Sequence, residues 1–462
     1  MSNSFDIVII GAGPAGMTAA VEADRHGASV CLLDEQSDAG GQIYRNVAQA
    51  PAARTKIMGE DYREGAALVE NLDASGAVHR RNVTVWKVGK DGAIAFSKDG
   101  QAEQIYARHI IIANGATERA VPVPGWTTPG VMTVGAAQIL MKTSGIMPVG
   151  AVLIGSGPLL YLVARQLVAA GAPPKALVET QTRADLIRAM RHFWQALRGW
   201  KQLVKGVGLI AAIWWARVPR HTGATDIAIE GEGFVERIRF RAKGRDHVIQ
   251  SDTVLLHQGV VPNTQVARSI GLDQIYDTAQ FCFKPVTDAH GQSSNPLFSV
   301  AGDGAGIGGA KVAAISGRLS ALNALRQINK ITETDREKRA GPLLERREAE
   351  MAIRPFLDAA YPPPQQVLSP ADDTIICRCE EVRAGDIRRY AALGCTGPNQ
   401  TKSFGRSGMG ACQGRYCGLV VTEILAEETG QSQDAVGSYR IRAPLKPISL
   451  GELAGLSDGK TP

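Results

Sequence analysis

The chain has 462 residues, 44% hydrophobic and 21% charged, with 51 basic and 45 acidic residues for a formal net charge of +6. That length holds two or three domains with proper cores, and the composition is that of an ordinary globular protein rather than a disordered chain. The charge excess is mild and contains no continuous Lys/Arg block, which excludes a nucleic-acid partner. The N-terminus lacks the charged and apolar regions of a secretory signal, so a cytoplasmic location is the expectation.

Residues 5–10 form an apolar run that ends at Gly11-Ala12-Gly13-Pro14-Ala15-Gly16. An Ala-rich helical stretch follows to Arg25, then a second strand over 28–33. This β–α–β order opens a doubly wound sheet. Gly11, Gly13 and Gly16 fit G-x-G-x-x-G. There the tight turn lets backbone N–H groups and the helix N-terminus, starting at Pro14 and Ala15, approach a pyrophosphate. Asp34 ends the next strand with Glu35 beside it, and a carboxylate at that place accepts from ribose hydroxyls. Gly40 and Gly41, followed by Gln42, permit backbone contact with a flavin ring; a bare surface turn is the competing reading.

Residues 82–100 read as a β-meander, and a strand over 109–113 returns to Ala113-Asn114-Gly115. A second β–α unit spans 149–154 and Gly155-Ser156-Gly157-Pro158-Leu159-Leu160, an internal echo of the first turn. Leu160 stands where the third glycine belongs, where its side chain pushes helix from strand and crowds a pyrophosphate. Glu179 keeps the position of a ribose acceptor, so the site is weakened rather than erased. Residues 183–205 are basic and amphipathic and lead into the apolar run 207–218, shorter than the ~20 residues of a bilayer span. A buried helix or an intersubunit contact is expected there, with peripheral membrane attachment as the other reading.

His257, before Gln258-Gly259, lines a pocket or serves structure. No general acid/base pair stands out, and no redox C-x-x-C occurs in residues 1–376. Residues 226–256 are strand-like, and 296–300 lead into Ala301-Gly302-Asp303-Gly304. Asp303 is placed at a strand end to meet a ribityl chain or, read alone, to cap a helix over 309–328. Residues 331–356 are charged and helical, Tyr361-Pro362-Pro363-Pro364 marks a linker, and the tail 440–462 is expected to lie extended on a surface.

Seven cysteines in a chain without secretory features indicate a reducing compartment and metal or redox use. Cys377 and Cys379 form C-x-C, and Cys412 and Cys417 form C-x4-C, the ligand set of a [2Fe–2S] cluster, with a closed zinc site as competitor. Glycines around them let backbone N–H groups face sulfur, and Arg378 and Arg415 add positive potential. Cys31 and Cys282 read as core residues; Cys395 lies in the same region without regular spacing.

With Gly259-Val260-Val261-Pro262-Asn263, these motifs resemble the two-dinucleotide-domain flavoprotein reductases. A narrower resemblance rests on Asp34-Glu35-Gln36, Gly40-Gly41-Gln42-Ile43-Tyr44-Arg45, Pro124-Gly125-Trp126, Pro129-Gly130-Val131, the Gly155–Leu160 phrase and Ala443-Pro444-Leu445-Lys446-Pro447. By these residues the chain is similar to a family that includes the A subunits of bacterial opine oxidases, the middle subunit of hydrogen cyanide synthase and the α subunit of D-hydroxyproline dehydrogenase.

The resemblance implies an α/β, glutathione-reductase-like fold with a small C-terminal helical [2Fe–2S] module of the bacterioferritin-associated ferredoxin type. It implies a discontinuous FAD domain (1–118 and 252–330), a degenerate NAD(P)-type domain (119–251), a helical linker (331–370), the cluster module (371–430) and an extended tail (431–462). FAD would be held by Gly11, Gly13, Pro14, Ala15, Gly16, Asp34, Glu35, Gly41, Gln42, Ala113, Asn114, Gly115, Gly302 and Asp303. The family also implies an amine-oxidising flavoprotein B subunit, an FMN at the contact between subunits, a small ferredoxin-like third subunit, and a quinone or other electron acceptor. An autonomous NAD(P)H-dependent ferredoxin-type reductase is the alternative, and a redox-sensing docking protein a third reading.

Overall fold

The computed structural model describes residues 3–456. Ser4–Ile10 (β1), Pro14–Arg25 (α1) and Val30–Leu33 (β2) form the opening unit. Val78–Arg80 (β3) extends the sheet beyond β2, while Thr84–Val88 (β4), Ala93–Lys98 (β5) and Gln101–Ile112 (β6) form an antiparallel meander. The end of β6 returns beside β1, so β1 has parallel neighbours on both sides. Such a strand is covered on both faces, which is why Ile7, Val8 and Ile9 are all buried and the run is continuous rather than alternating.

A second sheet is built from Val131–Thr133, Val152–Ser156, Ala176–Glu179, Arg220–Thr222 and Val254–Gln258, all parallel. Strand 254–258 pairs within this sheet, so the chain crosses back only after it, later than the 252 boundary read from sequence. The return is made at Phe298–Val300, which pairs parallel with β6. The helix Ala310–Gln327 then packs on α1: Thr18 Oγ1 donates to the Ala314 carbonyl at 2.7 Å, and Arg318 Nε meets Glu22 Oε2 at 2.8 Å. This packing sets the Gly302–Gly304 turn against Ala15 of the first glycine turn.

The helix Glu333–Met351 leads to a C-terminal module with a short hairpin (Ile375–Cys377 and Val382–Arg383) and the helices Ala384–Ala392, Pro398–Gly405 and Gly418–Thr429. Ile376, Ile424 and Tyr439 of the module share one apolar core with Phe5, Val8 and Leu33 of the first sheet. The tail closes this contact. The Leu445 N–H donates to the Trp86 carbonyl at 2.7 Å, and Lys446 pairs with Glu35. The tail is not extended throughout: it carries the short helices Gln433–Val436 and Leu450–Gly455, and residues 457–462 lie outside the described residues. Among the described residues no helix is long and apolar enough to cross a membrane. The apolar run 207–218 falls mainly in the helix Trp200–Trp215, where Ile213 is the one fully buried residue, so it is not the buried helix expected from sequence.

Candidate functional site

The first glycine turn is shaped by close backbone approach. A Cβ on Gly16 would lie 1.8 Å from the Gly11 carbonyl oxygen, so the helix can begin there only without a side chain. α1 has Gly13 as its N-cap residue with no side-chain cap, leaving its first amides to face an anion. Gly41, at φ +60°, lies across the turn: a Cβ there would stand 2.8 Å from the Gly13 Cα. Turn 40–42 therefore borders the pyrophosphate-type turn.

At the end of β6, Asn114 and Gly115 face the Gly302–Gly304 turn, while the Ala113 carbonyl faces Gly11; a Cβ on Gly304 would meet Asn114 Oδ1 at 3.0 Å. Both Nδ2 and Oδ1 of Asn114 are buried without a partner. An unsatisfied buried polar group costs about 1–3 kcal/mol, and a polar ligand between the two turns would relieve it. Two of the three carboxylates here, Asp34 and Asp303, hold backbone. Asp34 Oδ2 accepts from the Ala12 N–H at 2.5 Å and Oδ1 from the Gln36 N–H at 2.8 Å. Glu35 is joined to Lys446. Asp303 Oδ1 accepts from the Gly308 and Gly309 N–H groups, both at 2.9 Å, and both bonds fall on the one oxygen.

Three residues here escaped the sequence reading as site candidates. Arg45 faces Asp34, Glu35 and Asp38, its Nε is buried without a partner, and burial lowers its pKa. It closes the Gly40–Tyr44 phrase, the signal that could have found it. His79 on β3 accepts from Arg81 Nε at 3.2 Å through Nδ1, and its Nε2 is buried and unpartnered. Burial, with the Arg81 charge, lowers its pKa, and nothing in the sequence marked it. Lys142, from the helix Val134–Ser144, is buried with Nζ donating to the Gln42 and Ile43 carbonyls at 3.1 and 2.9 Å and to Gln138 Oε1 at 2.8 Å. Burial pushes its pKa down to about 7, with the Arg45 charge adding to the effect. It fixes the turn that carries Gln42.

The second glycine turn differs. Leu160 is fully buried, and Glu179 has no exposure at all. The Glu179 carboxylate accepts from Arg220 Nε at 3.0 Å and Nη2 at 2.8 Å, from Gln181 Nε2 at 3.0 Å and from the Tyr161 hydroxyl. Tyr361, from the linker, packs edge-on against Tyr161 at 6.1 Å. Protein groups thus fill the position of a ribose acceptor. His257 Nδ1 meets Glu118 Oε1 at 2.7 Å while Glu118 Oε2 accepts from the Gly135 N–H at 2.8 Å. This pair ties a strand end to the start of helix 134–144.

In the C-terminal module the four thiols stand as two pairs. Cys379 and Cys412 have their sulfurs 3.7 Å apart. Two thiolates on one tetrahedral ion with bonds of about 2.3 Å lie about 3.8 Å apart, so this pair has the right span. Cys377 and Cys417 are buried and hydrogen-bonded to each other. That bond holds Cys377 down to about 6 against its burial, with the Gly408, Glu380 and Cys379 amides also facing the sulfur; Cys417 is pushed well up by the same bond. A Cβ on Gly410 would stand 2.2 Å from Cys379 Cβ, so a side chain there would prise the pairs apart. Among the described residues no three His, Cys, Asp or Glu side chains converge on one point as a mononuclear ion requires. Arg378 stacks on Trp126 at 5.5 Å, and Arg415 Nη2 donates to the Leu445 carbonyl at 2.6 Å, so both arginines serve packing. Cys395 is buried in the core of the module.

Residues 5–317 match the pyridine nucleotide-disulphide oxidoreductase family, and residues 372–456 match the sarcosine oxidase A3 domain. The chain is 42% identical to the A subunit of opine oxidase from Agrobacterium tumefaciens, over 99% of this chain and 92% of that protein. It is 32% identical to the HcnB subunit of hydrogen cyanide synthase from Pseudomonas aeruginosa, over 97% of this chain and 98% of that one. Among solved structures it superposes on L-proline dehydrogenase from P. horikoshii with a TM-score of 0.71 at 18% identity, covering 97% of this chain and 79% of that chain. At that identity the likeness shows the fold alone.

Proposed function

The chain belongs to the family of opine oxidase A subunits, within the pyridine nucleotide-disulphide oxidoreductases, and we propose that it is the FAD- and [2Fe–2S]-carrying relay subunit of a heteromeric opine oxidase. When bound, FAD exchanges electrons in pairs and the cluster passes them singly, which is the chemistry a relay needs.

The chain's own residues would bind and orient these groups. The first amides of α1 and the Gly11–Gly16 turn would hold the pyrophosphate, with Arg45 nearby as a cation. Asn114 would offer a donor and an acceptor between the turns that end β6 and precede helix 310–327. Asp34, Glu35, Gln42, Gly302 and Asp303 complete the proposed pocket; Asp34 and Asp303 would act in part through the backbone they fix. Cys377, Cys379, Cys412 and Cys417 would hold the cluster, and their two-by-two arrangement favours two metal ions over one zinc.

The observation that carries the reading is the contrast between the two glycine turns. The first leaves Asn114 unsatisfied, whereas the second surrounds Glu179 with donors from its own chain. This favours a relay that receives electrons from a partner over a reductase that takes them from NAD(P)H. The relatives' names speak of subunits. We assign amine oxidation to a B-type flavoprotein partner, an FMN to the contact between the two, a further ferredoxin-like protein to the assembly, and a quinone-type acceptor to its outlet.

The test is to express the chain with and without its amine-oxidising partner and to follow dye reduction driven by octopine or nopaline. Activity only in the complex, lost on Cys412→Ser without loss of the complex, is expected. Opine oxidation by the isolated chain would overturn the assignment.

A further inference from the structure

The chain has six tryptophans, and four of them lie between residues 194 and 215. Trp194, Trp200, Trp214 and Trp215 are 80%, 57%, 67% and 76% exposed, whereas Trp86 and Trp126 are 2% and 8% exposed. On the helix Trp200–Trp215 the exposed apolar positions share one face. At 100° per residue, Trp200, Val204, Val207, Trp214 and Trp215 fall within roughly 100° of arc. The opposite side carries Ile213, the helix's fully buried residue, so the helix is apolar on both sides and only one is packed.

The charge around this face is one-sided. From Arg183 to Arg217 the sequence holds seven Lys/Arg and a single carboxylate, Asp185, a net +6 that equals the formal charge of the whole chain. Asp185 is used locally, capping the helix Arg183–Ala189 and pairing with Arg188. Lys205 pairs with Asp61 and Arg198 with Glu348. Arg183, Arg191, Lys201 and Arg217 have no carboxylate partner among the described residues.

We propose that this face is a docking surface for an anionic lipid bilayer, on which the protein lies as a peripheral protein. The occupant follows from the charge. A helix with tryptophans on its apolar face and uncompensated basic groups beside it fits the interface of acyl chains and anionic headgroups. A second copy meeting the first through the same face would set these four uncompensated cations against another four, which opposes a symmetric dimer there. The inference does not rest on the function proposed above.

The test uses the purified full chain and sedimentation with vesicles of phosphatidylcholine alone or in equimolar mixture with phosphatidylglycerol. Binding to the mixed vesicles only, weakened by salt and accompanied by a blue shift of tryptophan emission, is expected. Arg191→Gln, Lys201→Gln and Arg217→Gln should each weaken partitioning about fivefold, and Trp214→Ser with Trp215→Ser should abolish it. These side chains are exposed, so the variants keep the wild-type melting temperature, which serves as the folding control. No binding, equal binding to neutral vesicles, or full binding by the double tryptophan variant overturns the proposal. So does dispersal of a dimer, or release of a co-purified partner protein, by the same tryptophan substitutions.

Discussion

Gly41→Ala isolates the contact between the two glycine turns. The residue sits at φ +60°, where an alanine costs about 1–2 kcal/mol. Its Cβ would also stand 2.8 Å from the Gly13 Cα, against a carbon–carbon optimum of about 3.5 Å, so the turns must part by about 0.7 Å. That displacement moves the amides that would face the pyrophosphate. Losing one charge-assisted hydrogen bond, worth about 1.5–3 kcal/mol, weakens FAD binding roughly ten- to a hundredfold. Gly27→Ala is the matched control: it has φ +71° and nothing within 4 Å of the new Cβ, so it carries the backbone cost without the displacement. Flavin fluorescence titration of the apoprotein, beside chemical denaturation, separates the two effects. Gly27→Ala should lose about 1 kcal/mol of stability and keep its FAD affinity. If Gly41→Ala does no more than Gly27→Ala, turn 40–42 does not border the cofactor and the proposed pocket is wrong.

Cys377→Ser, Cys379→Ser, Cys412→Ser and Cys417→Ser should each remove the visible absorption and acid-labile sulfide of the module, while Cys395→Ser keeps both. A stoichiometric zinc content in the wild type would refute that. Glu179→Gln leaves the half-buried Arg220 without its counter-charge and should cost about 3 kcal/mol in denaturation without lowering flavin content; unchanged stability would refute the buried network. His109 is fully buried against Ser299 at 2.9 Å, and burial drops its pKa from 6.5 to about 4. The unfolded chain takes up that proton first, so roughly 3 kcal/mol of stability is lost as the pH falls from 6.5 to 4. His109→Gln should flatten that acid limb, and identical pH slopes for both proteins would contradict it.

Local order was readable where one physical demand fixes the residues. The apolar run of β1 and the glycine spacing at 11–16 announce a covered parallel strand meeting a helix start, and the structure has both. Position 160 was informative for the same reason: a leucine in place of glycine fills space, and here it is core. What the sequence concealed depends on partners far along the chain. Glu179 could be read as a free acceptor because Arg220 and Tyr361 lie 41 and 182 positions away. Asp34 looked like a ribose ligand, yet its nearest donors are backbone N–H groups that no side-chain pattern reveals. The outward stripe of helix 200–215 read as core because apolar periodicity records that a face is apolar, not what covers it.

The most direct test of the relay is an anaerobic mixture of the purified chain with NADH and then NADPH, followed by dithionite, with absorbance and electron paramagnetic resonance recorded together. No flavin bleaching by either nucleotide, then full bleaching and the signal of a reduced [2Fe–2S] centre on dithionite, is the expected result. Rapid bleaching by a nicotinamide nucleotide would show that the second glycine turn is open, contradicting the closure at Glu179 and making the chain a reductase in its own right.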